Sequence, residues 1–337
     1  MSDFHPLEVL AAGPDMMAAR MGARVVCPHP LASVITLRDF ARAAAAVARP
    51  DKKPDDLTIG NGLTAEFAGA LQKGAAKVVA DAYAQQRQSA GFLVPVAVRD
   101  FKPALQQVIL GNASLEKVSE LGEIQQGHCQ LAESVGTAVL QSYAKILTLT
   151  RMAIQNDTFG GFARATWAAG ASAARTEAGL VVEALTGNPA LPDGSTVFDL
   201  SADIYGNVLA NSLDATGLGL GLSKLRQQIS GFGVATDCEA KYLVCSPELE
   251  YQAHALMTLC RLPVTVVAMA GLPAARWFLL GAPEIFPCDG SLQLQGYPQI
   301  RVDVKTRDSD AIALRVVADI GAQMIGRVGI CRCGPDA

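Results

Sequence analysis

A long alanine-rich segment near the middle of the chain most constrains its fold. A β-patterned run over residues 146–150 leads to a turn at Asn156 and Asp157, and small residues then dominate residues 158–186. Because alanine has the highest helix propensity and residues 187–189 (Gly-Asn-Pro) form a stop signal, we expect one helix of about 40 Å at ~1.5 Å per residue. Asp157 is placed to cap its start. This length exceeds the usual ~11 or 12 residues of a helix.

The composition is poor in charge. Charged residues make up 18% of the chain and apolar residues 50%, whereas ordinary soluble domains carry roughly 25% charged residues. Burial between subunits is one explanation, since interface cores are depleted in charge, and a large alanine-rich core is the other. The net charge of −4 argues against tight sequence-independent DNA binding, which requires clustered Lys and Arg. It is compatible with a container wall around packed nucleic acid.

The cysteines and the hydropathy pattern argue against two further classes of protein. The eight cysteines are scattered and lack metal-finger spacing, and acidic residues interrupt the N-terminus, so we expect reduced thiols and no disulfide framework. Cys331 and Cys333 are too close for a relaxed disulfide and too few for a zinc site. No run approaches the ~18 apolar residues of a membrane span, since prolines and a glycine break the uncharged residues 262–275.

The N-terminal part of the chain is predicted to be largely helical. Residues 16–25 and 37–47 carry apolar side chains at helical spacing, with Thr36 as the N-cap of the second helix. Residues 67–83 form another apolar helical stripe, and residues 92–98 follow as an extended run.

Residues 115–150 are predicted to form a long two-stranded hairpin. Its arms are residues 115–124 and 135–146, and its bend lies at residues 125–128. Because an isolated hairpin is marginal in water, it needs a surface to lie on. We expect a neighbouring subunit to provide that surface.

Residues 205–296 are predicted to form a separate α/β unit. Ser246 and Pro247 form a strong helix start, with the serine as cap and the proline at the first position. The expected strands are residues 241–245, 264–269 and 277–280, and further strands follow at residues 299–306 and 311–331.

The sequence holds no catalytic or cofactor-binding motif. Gly217, Gly219 and Gly221 depart from the dinucleotide fingerprint, because the third glycine falls one position early and no strand immediately precedes them. They indicate instead a loosened or closely packed helix start. His128 and Cys129 are adjacent, so on a strand their side chains would point to opposite faces. With no convergent acid, base and nucleophile, we expect no catalytic, cofactor or metal site.

Six segments, in order along the chain, resemble one protein family. They are residues 33–42 (SVITLRDFAR), 99–103 (RDFKP), 115–124 (LEKVSELGEI), 143–146 (YAKI), 149–157 (LTRMAIQND) and 319–322 (DIGA). Together they resemble the major capsid proteins of tailed phages, with most similarity to Mu-type prophage head subunits and the capsid part of fused prohead protease–capsid proteins. Residues 203–207 (DIYGN) depart from that group's usual His-Gly-Asn. No protease signature precedes the capsid part, so a protease would be a separate protein or absent.

The resemblance implies the Hong Kong 97-type phage capsid fold, which is an α+β fold. It assigns residues 1–110 to an N-terminal helical arm and residues 111–150 to an extended β-hairpin loop. Residues 151–204 and 297–337 would form the peripheral domain with the long spine helix, and residues 205–296 would form the axial domain.

The resemblance also implies a structural function and no enzymatic activity. A major capsid protein would assemble as hexamers and pentamers into an icosahedral head around double-stranded DNA, which it contacts non-specifically. Its other partners would be a portal, a scaffold or protease, and possibly a cement protein, with no membrane and no cofactor. The protein would be assembled in the host bacterial cytoplasm and reside in the virion. The residues expected at subunit contacts are Glu116, Lys117, Glu120, Glu123, Arg151, Asn156 and Asp157.

Two alternatives remain open from the sequence. One is the shell of an encapsulin-like nanocompartment, which has the same fold but stores cargo enzymes. The other is a soluble α/β enzyme built on residues 205–296, although no nucleophile or phosphate loop follows a strand there.

Overall fold

In the computed structural model the chain forms two units, each drawn from three stretches of the sequence. Unit 1 comprises Met1–Arg87, Ser142–Thr176 and Gly296–Asp319, and unit 2 comprises Gln88–Gln141, Glu177–Gln295 and Ile320–Ala337. The structure describes residues 5–23, 25–48, 65–87, 91–102, 104–107, 134–150, 152, 160–189, 196–199, 206–229, 235–307 and 311–335.

Helices and strands are interleaved along the described residues. The helices are α1 (Pro6–Arg20), α2 (Leu37–Ala48), α3 (Ala65–Gln86), α4 (Gly160–Gly187), α5 (Ala215–Arg226) and α6 (Glu250–Cys260). The strands are β1 (Val94–Val98), β2 (Ala104–Gln107), β3 (Ser134–Ala138), β4 (Gln141–Thr150), β5 (Val208–Leu209), β6 (Tyr242–Cys245), β7 (Thr265–Ala268), β8 (Trp277–Leu280), β9 (Asp289–Leu294), β10 (Ile300–Arg307), β11 (Ala311–Met324) and β12 (Ile330–Cys333). The predicted long helix is confirmed as α4, which has 28 residues.

The start of α2 is fixed by a reciprocal cap. The Asp39 N–H donates to Thr36 Oγ1 over 3.1 Å, and the Thr36 N–H donates to an Asp39 carboxylate oxygen over 3.0 Å. The exchange satisfies two backbone N–H groups at the helix start, so the predicted N-cap is confirmed. Behind it, the ring of Phe40 lies 5.5 Å from that of Phe67 in α3, centroid to centroid. Both rings are buried in a core shared with Met16 of α1.

A group of strands completes unit 1. β10 runs antiparallel to the first part of β11, and β4 also pairs with β11. Apolar side chains of these strands, including Leu147, Leu314 and Val316, belong to the same core as the three N-terminal helices. The Gln72 side-chain amide of α3 donates to the Val302 carbonyl over 2.7 Å, which ties that helix to β10.

Unit 2 contains a mixed sheet with the strand order β5-β12-β8-β6-β7. One face of the sheet carries Leu243, Trp277 and Cys331, which share a core with Leu218 of α5 and Met257 of α6. Two short helices therefore cover this face.

The opposite face of that sheet is covered by the second part of α4. It carries Val244, Phe278 and Ile330, which share a core with Val181 and Leu185. Because successive side chains of a strand point to opposite faces, a sheet covered on both sides requires strands that are apolar throughout. This explains the continuous apolar runs that the sequence shows here.

Close backbone packing accounts for two of the three glycines in α5. A Cβ atom on Gly217 would collide with the Ser212 carbonyl oxygen, and one on Gly221 would lie 2.9 Å from Leu279 Cδ1. At Gly219 nothing lies within 4 Å. Close packing, one of the two predicted alternatives, is confirmed for Gly217 and Gly221 but not for Gly219.

The predicted second arm of the hairpin, residues 135–146, is wrong as one continuous strand. It is divided between β3 and β4, and Leu140 between them is buried in a small core with Val98 and Leu292. β3 pairs antiparallel with β2, from Ala104↔Ala138 to Gln107↔Ser134. The predicted first arm and bend lie outside the described residues.

The predicted cap at Ser246 is also wrong in its detail. Ser246 occupies the N-cap position of a 3-10 turn at Pro247–Leu249, but its side chain makes no capping hydrogen bond. The hydroxyl is buried instead, and the α-helix begins only at Glu250.

Candidate assembly surfaces

All seven predicted contact residues lie outside the described residues. Four of them belong to the segment between β2 and β3, and the other three lie between β4 and α4. They are Glu116, Lys117, Glu120, Glu123, Arg151, Asn156 and Asp157. Their roles, and the capping role of Asp157, stay predictions.

The structure does describe β2 and β3, the two strands between which the first four of these residues lie in the sequence. Gln107 and Ser134 are paired across β2 and β3, so the two ends of residues 108–133 are held side by side. A register shift between Leu105 and Gln107 interrupts the ladder. Such bulges bend and twist a strand pair locally.

A buried carboxylate joins three strands of unit 1. Asp319 on β11 is 1% exposed; it accepts a hydrogen bond from the Ser142 hydroxyl of β4 and pairs with the Arg301 guanidinium of β10. A second, more exposed carboxylate, Asp303, lies 3.7 Å from Arg301 Nε and 3.1 Å from an Arg315 nitrogen. Pairing compensates the cost of burying the Asp319 charge, so the group fixes the relative position of the strands.

The sequence pointed to only one member of this group. Asp319 belongs to the DIGA segment, whereas Ser142 and Arg301 carry no motif. They lie 177 and 18 residues from Asp319 in the chain, and only strand pairing brings the three together.

Unit 2 buries two carboxyl groups. Glu177 of α4 and Asp289 of β9 are both 0% exposed, and Glu177 Oε1 accepts a 2.7 Å hydrogen bond from the Ser291 hydroxyl. Burial, with repulsion from Glu177, raises the pKa of Asp289 well above its ordinary value of 3.8. Within the part of the chain that the structure describes, no group of three His, Cys, Asp or Glu residues could hold a metal ion.

The described cysteines are free, and most are core residues. Cys27 and Cys260 are exposed, whereas the other five described thiols are buried. Burial raises the pKa of Cys245 to about 11 and that of Cys238 to about 12, which suppresses the reactive thiolate form. The two sulfur atoms of the Cys331–Cys333 pair lie 3.6 Å apart, well beyond the ~2.05 Å of a disulfide bond.

Large apolar side chains are exposed on both units, and such side chains mark candidate contact surfaces where they cluster. Unit 2 has the most pronounced cluster, on α6, where Tyr251 is 88% exposed and Leu259 is 76% exposed. The two residues are eight positions apart and lie on one face of the helix. Further exposed apolar residues in unit 1 are Leu7, Val26, Val34, Val47, Ile146, Met152, Trp167, Tyr297 and Val304.

A family comparison decides among the candidate classes of protein. A family model described as phage capsid protein matches residues 134–332, which is more than half of the chain. The chain belongs to the phage capsid protein family. It is therefore a major capsid protein, a virion component that assembles into an oligomeric shell.

The chain is also similar to several solved structures. The virus-like particle from Pyrococcus furiosus is similar with a TM-score of 0.50 and 11% sequence identity, over 77% of this chain and 97% of that chain. The encapsulin of Synechococcus elongatus PCC 7942 has a TM-score of 0.47 and 9% identity, over 74% and 87% of the two chains. Mycobacterium phage Patience gives 0.43 and 14%, over 81% and 90%. No curated protein matches the chain.

The fold of this capsid protein is thus the predicted α+β fold of the Hong Kong 97 type. Among its described helices, none is long and apolar enough to cross a membrane.

Proposed function

We propose that copies of this capsid protein associate head to tail into hexamers and pentamers, which join into an icosahedral head around double-stranded DNA. Head-to-tail contacts generate rings when the rotation between copies closes. Each contact can be weak, because many contacts per subunit raise the effective concentration of the next one. The match of the phage capsid family model over residues 134–332 carries this proposal.

The chain segments take separate roles in the proposed shell. Residues 205–296 surround the axes of the rings as the axial domain, and residues 151–204 with 297–337 join rings as the peripheral domain. Residues 111–150 lie over a neighbouring copy, and residues 1–110 form the N-terminal arm. The antiparallel pairing of β2 with β3 supports a projecting loop. The seven predicted contact residues would act through intersubunit ion pairs and helix capping.

The net charge of the chain supports a shell wall that encloses DNA without binding it tightly. A net charge of −4 on 337 residues cannot neutralise many phosphates, so contacts with DNA are weak and non-specific. A portal, a scaffold or separate protease, and possibly a cement protein would complete the head in the host bacterial cytoplasm. The chain itself would contribute no catalysis and hold no cofactor.

The test is the product of expression in a bacterium. We expect the protein to elute in the void fraction of a sizing column, and electron micrographs of that fraction to show closed polyhedral particles or rings of five and six. Nuclease-protected DNA inside particles formed with the packaging partners supports the phage head, whereas a defined cargo enzyme would identify a nanocompartment. A monomer or dimer at high concentration, with scaffold and crowding agent present, would contradict the proposal.

A further inference from the structure

Among the residues that the structure describes, the outermost strand of the unit 2 sheet has one side of its backbone unpaired. β7 lies at the end of the strand order and pairs in parallel with β6 alone. The Thr265 N–H donates to the Lys241 carbonyl over 2.9 Å, and the Met269 N–H donates to the Cys245 carbonyl over 3.0 Å. Backbone groups of a strand alternate in direction, so the intervening Val266 and Ala268 direct theirs away from β6. Within the described residues these outward groups have no hydrogen-bond partner.

A groove follows this free edge. It has a volume of about 510 Å³ and is lined by Pro247, Glu250, the whole of β7 and Ala270. Pro247 begins the turn before α6, and Glu250 is the first residue of α6. The groove therefore has the start of a helix on one side and β7 on the other. Tyr251 and Leu259 of α6 are also exposed.

Two of the usual protections against strand pairing are missing from β7. Exposed edge strands are normally blunted by short length, proline, charged side chains or bulges. β7 has only four residues, but residues 262–275 contain no charged residue, and the pairing of β7 with β6 is regular over all four residues. An uncharged, regular edge of this kind can accept a further strand.

The two edges of the sheet are not alike. At the opposite edge β5 has only two residues, and its Val208 carbonyl accepts a 2.6 Å hydrogen bond from Lys224 Nζ. The β5 edge of a second copy therefore offers little strand with which β7 could pair. A different surface of the second copy at β7 would give the head-to-tail association that closes into rings.

We propose that β7 is an intersubunit docking edge, to which an extended stretch of a second copy of this chain adds as a sixth strand. Main-chain hydrogen bonds to Val266 and Ala268 provide affinity, and the groove accepts alternate side chains of the added strand. A second copy is the occupant because the chain is a shell-forming capsid protein, so its lateral neighbours are copies of itself. The proposal rests on the proposed function.

Hydrogen exchange on the unmodified protein tests the docking edge directly. The amides of Val266 and Ala268 should exchange at least tenfold more slowly in assembled particles than in unassembled subunits. The amide of Val267, which faces β6, is the internal control and should be protected in both. Particles in which the two outward amides exchange as fast as in free subunits would overturn the docking edge alone. A chain that never forms particles would overturn the proposed function as well.

A proline at the same edge provides the second test. Ala268→Pro removes an outward N–H and leaves the bonds that Thr265 and Met269 make to β6, and edge strands tolerate proline at such positions. We expect a folded subunit whose yield of particles falls at least tenfold. If the variant folds and still assembles at the yield of the unmodified protein, the docking edge is wrong.

Discussion

At the scale of single residues, the buried carboxylate of Asp319 is the clearest determinant of unit 1. Its partner Arg301 is still 30% exposed in its side chain, so the pair is neither fully desolvated nor freely hydrated. Removing one member of a buried pair leaves an uncompensated group, which costs several kcal/mol, whereas exposed pairs contribute little.

We therefore predict that Asp319→Asn lowers the free energy of unfolding of the unassembled subunit by about 3 kcal/mol. Asp303→Asn is the matched control, because that carboxylate lies in the same network but is 37% exposed, and its loss should cost under about 1 kcal/mol. Denaturant unfolding measures both. Equal losses for the two variants would show that burial of Asp319 does not govern its contribution.

The buried Asp289 makes the stability of unit 2 depend on pH. Its pKa is raised above 3.8 in the folded chain, so below that pH both the folded and the unfolded states hold the proton. As the pH rises, the unfolded chain ionises while the folded chain does not. The free energy of unfolding therefore falls with rising pH until the folded-state pKa is passed.

Asp289→Asn should remove this dependence. We predict that the variant and the unmodified protein have similar stability near pH 3, and that the variant becomes progressively more stable by comparison as the pH is raised to 7. Denaturant unfolding at a series of pH values gives the difference. A difference that stays constant across the series would contradict a protonated Asp289 in the folded state.

At the scale of elements, two glycines of α4 have different surroundings, and we expect their replacement to change stability in opposite directions. Within unit 1, Gly170 faces α3, where a Cβ atom would collide with the Val79 carbonyl and lie 2.9 Å from Ala82 Cβ. Gly179 in the same helix has nothing within 4 Å of such an atom. The first glycine serves close packing, whereas the second only lowers helix propensity.

Gly170→Ala should thus destabilise the unassembled subunit by about 1–3 kcal/mol through overpacking. Gly179→Ala should stabilise it by up to about 1 kcal/mol, because alanine is the better helix former. Thermal unfolding of the two variants gives the comparison. Stabilisation by both substitutions would mean that α4 and α3 do not approach as closely as the structure shows.

The elements that follow from local pattern were predictable. The predicted helix over residues 158–186 is α4, and the predicted strand over residues 277–280 is β8, because apolar periodicity and stop signals are written in adjacent residues. The break between β3 and β4 was not predictable from the local pattern, and the core in which Leu140 meets Val98 and Leu292 forms only in the folded unit. The Asp319 group was missed for the same reason, since its members meet only in the folded unit.

The sequence predicted that the chain has assembly surfaces, but the location of these surfaces was not predictable from local pattern. Low charge and an unsupported hairpin indicated contacts between subunits, and the family match agrees with that. The predicted contact residues came from the resemblance and stay untested. The groove along β7 had no signal other than the uncharged residues 262–275, since strand order in a sheet is a tertiary property.

At the scale of the whole molecule, the low charge is compatible with assembly into a shell. A chain with 18% charged residues exposes apolar side chains such as Tyr251, Leu259 and Trp167, and a shell can cover these. Interfaces of this kind make the stability of a subunit depend on protein concentration. A neighbouring subunit binds the folded chain but not the unfolded chain, and so favours the folded state by mass action.

A cryo-electron-microscopy reconstruction of the purified particle tests the shell most directly. We predict a closed icosahedral shell built of five- and six-copy rings, with residues 205–296 around the ring axes and residues 111–150 over a neighbouring copy. A shell in which other residues surround the axes would overturn the domain roles. An open helical assembly, or a chain that remains a monomer with its scaffold present, would contradict the proposed function itself.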